Sequence, residues 1–221
     1  MISIIIPAYN EEKYIEKTIQ SIKDQTTNSY EIIVVANGCT DRTQEIASKY
    51  TPHSFVINRP NVSLARNIGA QHASGDILIF LDADTRLAPN AVEEIKKQFS
   101  PAETVATLHG HPNASRLHYK IFLEIKNLLH LLKLHTGSSG IIITKKDIFH
   151  KVGGFDAKLS IKENSAFIRK AKRYGKYKVI RNTTAITSTR RYERWGLLKT
   201  MFFWCSSILS KRSKAKYEAV R

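Results

Sequence analysis

Residues 75–84 read Gly-Asp-Ile-Leu-Ile-Phe-Leu-Asp-Ala-Asp. The apolar run Ile77–Leu81 lies between acidic residues, and such a continuous run is typical of a strand that is buried on both faces. Strands of this kind form parallel sheets covered by helices, and ligands bind at the carboxyl ends of those strands. The run therefore predicts an α/β fold in which Asp82 and Asp84 lie at the ligand-binding edge of the sheet.

Other apolar runs of strand length occur along the chain, and segments with helical spacing separate them. This alternation predicts a Rossmann-like, mostly parallel sheet with helices on both faces. The further predicted strands are Ile2–Pro7, Glu31–Ala36, Ser54–Ile57, Val105–His109, Ile141–Thr144 and Tyr177–Ile180, and helices are expected near residues 116–134 and 162–174.

The length and charge of the chain limit its organisation and its partners. A chain of 221 residues has room for one main domain and an appendage, and is short for two independent cores. We expect a catalytic domain over residues 1–181 and a basic, amphipathic appendage over residues 182–221. The 35 lysines and arginines outnumber the 19 aspartates and glutamates, giving a net charge of +16. This excess favours polyanionic partners: nucleic acid, anionic lipid or phosphorylated substrates.

The cysteines and the first residues indicate the compartment. Cys39 and Cys205 are far apart in sequence, so neither a disulfide framework nor a cysteine-based zinc site is predicted. The first residues lack a basic leader, and their apolar run is too short for a signal peptide or a membrane span. We therefore expect a cytoplasmic protein.

The pair of carboxylates in Asp82-Ala83-Asp84 is a candidate cation site. Two hard oxygen ligands suit Mg²⁺ or Mn²⁺, which complete their coordination with water and substrate phosphates. Alone the pattern also fits an ordinary turn at a strand end. Three further polar segments strengthen the prediction, because two of them follow strands and the third precedes the carboxylates: Pro7–Glu11, Asn37–Asp41 and Ser63–Gly69.

Together these segments resemble family 2 glycosyltransferases, which have a GT-A fold. The resemblance extends over roughly residues 1–180 and includes Gly153-Gly-Phe-Asp156 downstream. It implies an enzyme that moves a sugar from a nucleoside diphosphate donor, of the UDP or GDP type, to an acceptor. It also implies inversion at the anomeric carbon and dependence on a divalent metal.

The resemblance implies roles for individual residues. Asp84 would hold the metal, Asp82 the ribose, and Arg66 would reach the base or the diphosphate. Asn37 would lie near the base. The chain has Ala36-Asn37 where the family often has two aspartates, and the amide of Asn37 can still pair with a base edge. The full set expected to bind the nucleotide sugar is Pro7, Ala8, Tyr9, Glu11, Asn37, Arg66, Asp82 and Ala83.

The catalytic residues depart from the family pattern. Where the family usually has Glu-Asp, this chain has Glu163-Asn164, and an amide cannot accept a proton. Either Glu163 is the general base, or the acceptor is already anionic, as a polyprenyl phosphate would be; a glycolipid acceptor is a further possibility. Arg190 and Arg191 are expected to stabilise the leaving diphosphate, although a solvated basic turn is an equal alternative.

The end of the chain predicts membrane contact. From Trp195 to Leu209 apolar residues recur at helical spacing, and a basic cluster follows. Such a helix would be about 22 Å long, short of a membrane span of about 30 Å. We expect it to lie on the anionic inner face of the cell membrane, making the protein peripheral there. The alternative is that it packs on the domain or on a second subunit.

Two other functions fit parts of the sequence. A catalytically impaired nucleotide-sugar-binding protein would explain Asn164. A nucleic-acid-binding protein would explain the charge, but the chain has none of the usual motifs of that class, so we expect no nucleic-acid partner.

Overall fold

The structure is a computed structural model that describes residues 1–132, 137–159, 161–196 and 199–200. Strands and helices alternate through its amino-terminal half, as predicted. They are β1 (Ile2–Ala8), α1 (Ile15–Lys23), β2 (Tyr30–Asn37), α2 (Thr43–Ser48), β3 (Ser54–Ile57), α3 (Val62–His72), β4 (Ile77–Leu81), β5 (Thr85–Leu87) and α4 (Ala91–Gln98). The remaining elements are β6 (Glu103–Pro112), α5 (Leu117–Leu131), β7 (Ile141–Lys145), α6 (Lys146–Lys151), α7 (Glu163–Ala171), β8 (Lys176–Thr187) and α8 (Arg190–Trp195).

The described strands form one eight-stranded sheet in the order β3-β2-β1-β4-β7-β6-β8-β5. Strands β1 to β4 are parallel to one another, and β6 is parallel to β8. Strand β7 runs antiparallel to both of its neighbours, and β5 runs antiparallel to β8. The predicted α/β class with a mostly parallel sheet is confirmed.

The central strands β1 and β4 are buried on both faces, which explains why they are apolar apart from Ser3. In β1 the side chains of Ile4 and Ile6 belong to one hydrophobic cluster, whereas Ile5 belongs to the other. In β4 Ile79 and Phe80 are divided in the same way. Successive strand residues point to opposite faces, so a strand covered on both sides is apolar at nearly every position.

The carboxyl-terminal region differs in extent from the predictions. Strand β8 continues to Thr187, beyond the predicted Tyr177–Ile180, and so crosses the expected boundary between residues 181 and 182. The amphipathic helix predicted from Trp195 onward falls almost entirely on residues 197–198 and 201–221, which lie outside the described residues. Within the described part of the chain, no helix has the length and apolar character needed to cross a membrane.

Candidate functional site

The carboxyl ends of β1, β2 and β4 meet at one edge of the sheet because these strands are parallel. The loop after β1 is shaped by Asn10, which has a φ of 53°. Asparagine tolerates this left-handed conformation better than most residues. Its side chain accepts a hydrogen bond from the Thr40 N–H at 2.8 Å, and the Glu11 N–H donates to Thr43 Oγ1 at 2.7 Å. The loops after β1 and β2 therefore hold each other in place.

The end of β4 is fixed by Gly140. The Asp82 N–H donates to the Gly140 carbonyl at 2.8 Å. Gly140 has a φ of 78°, and a Cβ there would lie 2.3 Å from Thr85 Oγ1, so only glycine fits. The Ala83 carbonyl accepts from Thr18 Oγ1 at 2.7 Å, and the Ala83 side chain is buried. These contacts fix the backbone of the turn that carries the carboxylates of Asp82 and Asp84.

Arg190 joins α8 to this edge of the sheet. Its guanidinium donates to the two Glu11 carboxylate oxygens at 2.6 and 2.5 Å and lies 3.0 Å from Asp84 Oδ2. It also stacks over the Tyr14 ring, with 4.7 Å between Cζ and the ring centroid. Burial raises the pKa of both Glu11 and Asp84, and the charge of Arg190 opposes that rise. We call Glu11, Asp84 and Arg190 the donor cluster.

A second cluster surrounds Arg66, whose side chain is only 4% exposed. One guanidinium nitrogen donates to Glu163 at 3.2 Å and to Asn164 Oδ1 at 2.8 Å, and the other donates to Asp82 at 3.0 Å. The Phe155 ring lies 5.0 Å from the guanidinium carbon. Helix α3 positions Arg66, and Asn61 caps that helix by accepting the Leu64 N–H at 2.9 Å.

Lys126 of α5 extends this second cluster. Asn164 Nδ2 donates to Ser138 Oγ at 3.1 Å, and Lys126 Nζ donates to the Ser138 carbonyl at 3.0 Å. Burial, together with repulsion from Arg191, lowers the pKa of Lys126 to about 8, whereas the charge of Asp82 opposes that shift. A cation therefore lies close to the position at which the family pattern has its aspartate. We call Arg66, Asp82, Glu163, Asn164 and Lys126 the acceptor cluster.

The structure brings most of the predicted site residues to this edge. Pro7 and Ala8 end β1 in buried positions, and Tyr9 follows them partly exposed. Asn37 is buried at the end of β2, where its side-chain carbonyl accepts the Asn61 N–H at 2.6 Å. The charge of Arg191 lowers the pKa of both Asp84 and Lys126. The catalytic and binding roles of these residues stay predictions.

Three residues of the site were not identified from the sequence. Tyr14 and Ser138 have no local pattern that marks them, because their partners lie far away in the chain. Lys126 interrupts the apolar repeat of α5, and a lysine at that position was a signal that could have been followed.

The carboxylates of the turn after β4 fit a divalent cation that is shared with a substrate. Among the described residues, no group of three or more histidine, cysteine or acidic side chains could hold a metal alone. Mg²⁺ and related ions are commonly bound by one or two carboxylates together with substrate phosphates. Asp84, with Asp82 two residues before it, supplies a donor set of that kind.

Comparison with known proteins identifies the relatives of this chain. A family model described as "Glycosyl transferase family 2" matches residues 3–153. An uncharacterized glycosyltransferase of Haemophilus influenzae is 28% identical over 181 residues, which cover 77% of this chain and 61% of that protein. The chondroitin synthase of Pasteurella multocida is 33% identical over 114 residues, which cover 49% of this chain and 12% of that protein. The chain therefore matches less than two thirds of the length of either relative.

Solved structures share the fold. The mannosyltransferase PcManGT of Pyrobaculum calidifontis, in complex with GDP-Man and Mn²⁺, superposes with a TM-score of 0.71 at 18% identity, covering 96% of this chain and 65% of that chain. S. aureus TarS, in complex with UDP-GlcNAc, superposes with a TM-score of 0.67 at 21% identity, covering 86% of this chain and 58% of that chain. The expected GT-A fold is confirmed by these likenesses.

Proposed function

The chain belongs to glycosyl transferase family 2, and from this premise we propose that it transfers a sugar from a nucleoside diphosphate sugar to an acceptor. The observation that carries the proposal is the meeting of the donor cluster and the acceptor cluster at the carboxyl edge of β1, β2 and β4. Ligands bind at this edge in open α/β sheets. Complexes of UDP-GlcNAc and GDP-Man with structural neighbours support a donor of the UDP or GDP type.

The donor would lie along the ends of β1 and β2. Pro7, Ala8 and Tyr9 would line the nucleotide pocket, and Asn37 would stand near the base. Asp82 is 39% exposed even though it pairs with Arg66, so its carboxylate remains accessible to a ribose hydroxyl.

Stabilisation of the leaving diphosphate is assigned to the donor cluster. Asp84 would hold Mg²⁺ or Mn²⁺, which supplies positive charge to the departing diphosphate when it is bound. Arg190 is a second source of positive charge in the same place, and its planar guanidinium suits phosphate oxygens as well as it suits the Glu11 carboxylate. Arg191 would add charge from the side of the acceptor cluster.

The acceptor is proposed to be an anionic lipid phosphate. Asn164 cannot serve as a base, and one carboxylate oxygen of Glu163 is already engaged in an ion pair with Arg66 at 3.2 Å. A phosphate monoester arrives ionised and needs no base, and Lys126 and Arg191 would attract it. Its oxygen would attack the anomeric carbon as the bond from that carbon to the diphosphate oxygen breaks. The nucleoside diphosphate leaves with the electron pair, and this single displacement inverts the anomeric centre.

The same proposal places the protein at the inner face of the cell membrane, where a lipid acceptor would be embedded. The basic cluster after residue 210 and the net charge of +16 support attraction to anionic lipids.

A direct test incubates the full chain with labelled UDP- and GDP-sugars and Mn²⁺, with and without polyprenyl phosphate. We expect labelled lipid to form with one of the donors. Absence of binding to every donor would refute the proposal, and tight nucleic-acid binding with a steep salt dependence would replace it. Donor binding without turnover on any acceptor would favour the second candidate, an impaired nucleotide-sugar-binding protein, for which Asn164 is the supporting observation.

A further inference from the structure

Helix α5 carries most of the large apolar side chains that the described part of the chain exposes. The described residues include ten exposed large apolar side chains. Seven of the ten belong to α5 or its carboxyl cap, and their exposed fractions range from 37% at Leu129 to 70% at Leu117. At 3.6 residues per turn, the seven positions fall within about 160° of the helix circumference. We call this surface the α5 apolar face; it consists of Leu117, Ile121, Ile125, Leu128, Leu129, Leu131 and Leu132.

The orientation of α5 is fixed by its opposite side. Tyr119, Leu123 and Asn127 are buried against the domain. The Asn127 side chain accepts the Gly110 N–H at 2.9 Å and donates to the Gly110 carbonyl at 2.8 Å, so it satisfies both polar groups of a β6 residue. Rotating the helix to bury its apolar face would break these buried hydrogen bonds. The apolar face is therefore a stable feature of the surface.

Two cations lie beside the α5 apolar face at its amino-terminal end. Arg116 and Lys120 are exposed at the first turns of the helix. The single acidic residue of α5, Glu124, lies 3.1 Å from His109 Nε2. Apolar residues beside exposed cations match the boundary between acyl chains and anionic headgroups in a bilayer. A second copy of this surface would instead bring cations against cations, on a protein with a net charge of +16.

The same helix reaches the acceptor cluster from its other side. Lys126 donates to the Ser138 carbonyl, and Ser138 Oγ accepts from Asn164. An α-helix with its side chains is about 10–12 Å across, so a bilayer on the apolar face would lie about one helix diameter from the site. That distance lets the headgroup of an embedded lipid reach Lys126 while its chain stays in the membrane.

We propose that the α5 apolar face inserts into the interfacial layer of an anionic bilayer and so presents a lipid-borne acceptor to the acceptor cluster. The presentation of an acceptor rests on the proposed transferase function, whereas membrane insertion does not. The exposed apolar side chains and the neighbouring cations favour one occupant, a lipid surface, over a second copy of the chain.

The test is flotation of the full chain with phosphatidylcholine vesicles that contain or lack phosphatidylglycerol. The variant Ile125→Glu/Leu128→Glu places two negative charges in the apolar face, at residues that are 51% and 52% exposed. The matched control, Val56→Glu/Tyr174→Glu, changes two exposed apolar residues elsewhere, at 49% and 54%. We expect the wild type and the control to bind the anionic vesicles, and the α5 variant to bind at least about 10-fold more weakly.

Other outcomes overturn the inference. Equal vesicle binding by the α5 variant and the control would show that another part of the chain, such as residues 201–221, makes the contact. If the wild type does not float, the face would be assigned to an intramolecular contact. If the wild type forms a dimer in light scattering and the α5 variant dissociates it, the face would be assigned to a protein contact. UDP and GDP binding and thermal unfolding of each variant check the fold. Vesicle binding by a chain that binds no UDP- or GDP-sugar would refute the transferase function and leave membrane insertion standing.

Discussion

Replacing Arg66 with methionine tests whether the acceptor cluster is a structural unit as well as a binding site. Methionine keeps much of the length of the side chain and removes its charge. Asp82, Glu163 and Asn164 would each lose a hydrogen bond from the guanidinium. We expect a less stable protein with weaker donor binding, because the two carboxylates would repel each other and the end of β4 would lose its link to α7.

The size of the effect follows from the burial of the partners. Removing one partner of a buried ion pair costs about 3–5 kcal/mol of unfolding free energy. Glu163 is 15% exposed and would be left in a poorly hydrated place, whereas Asp82 is 39% exposed and can regain water. The lower limit, about 3 kcal/mol, is therefore expected. In a protein of 150–250 residues, 1 kcal/mol shifts the Tm by about 2–4 °C, so the Tm should fall by about 6–12 °C.

Thermal unfolding followed by circular dichroism at neutral pH measures this change. Arg173→Met is the matched control, since Arg173 is exposed just after α7 and its substitution should leave the Tm nearly unchanged. A Tm for Arg66→Met within about 2 °C of the control would refute the reasoning, because it would mean that the three hydrogen bonds contribute little to the fold.

Three further substitutions test the chemistry of the site. Asp84→Asn should reduce the dependence of UDP and GDP affinity on Mn²⁺, as measured by calorimetry; an unchanged dependence would remove Asp84 from the metal site. Lys126→Met should stabilise the protein at pH 7, because the pKa of Lys126 is lowered to about 8 and its protonated form is disfavoured in the fold. The Tm difference from wild type should shrink between pH 8 and 10, where wild-type Lys126 becomes neutral in the fold; a constant difference would contradict the shift. Glu163→Gln should change turnover on a phosphate acceptor by less than about 10-fold; a loss of about 10²–10⁴-fold would identify Glu163 as the general base.

The predictable part of this molecule is the part that depends on local burial. The strands Ile2–Ala8 and Ile77–Leu81 are apolar apart from Ser3 because both of their faces are covered, and that pattern is visible without any tertiary information. Asp82 and Asp84 could be placed at the ligand-binding edge of the sheet because they directly follow the buried strand β4. Strand β8 was predicted too short, because residues 181–184 read Arg-Asn-Thr-Thr and interrupt its apolar pattern while the strand continues.

The contacts that organise the site could not be read from local patterns, because they join distant positions. Arg66 is separated by 97 residues from Glu163, and Arg190 by 179 residues from Glu11. Which carboxylate each arginine meets depends on the packing of α3 against α7 and of α8 against the β1 loop. A sequence pattern that marks each residue as polar and close to a strand end contains no information about that pairing.

The charges of the two clusters explain why a divalent cation and a nucleoside diphosphate sugar would bind together. The four carboxylates there are balanced by four cations: Glu11, Asp82, Asp84 and Glu163 against Arg66, Lys126, Arg190 and Arg191. A diphosphate diester adds two negative charges to this balanced site, and one divalent cation restores the balance. Arg190 is then the residue most affected by the donor, because the diphosphate competes with Glu11 and Asp84 for its guanidinium. If Arg190 leaves Asp84, the Asp84 carboxylate becomes available to the divalent cation. The sugar donor and the metal should therefore each strengthen the binding of the other.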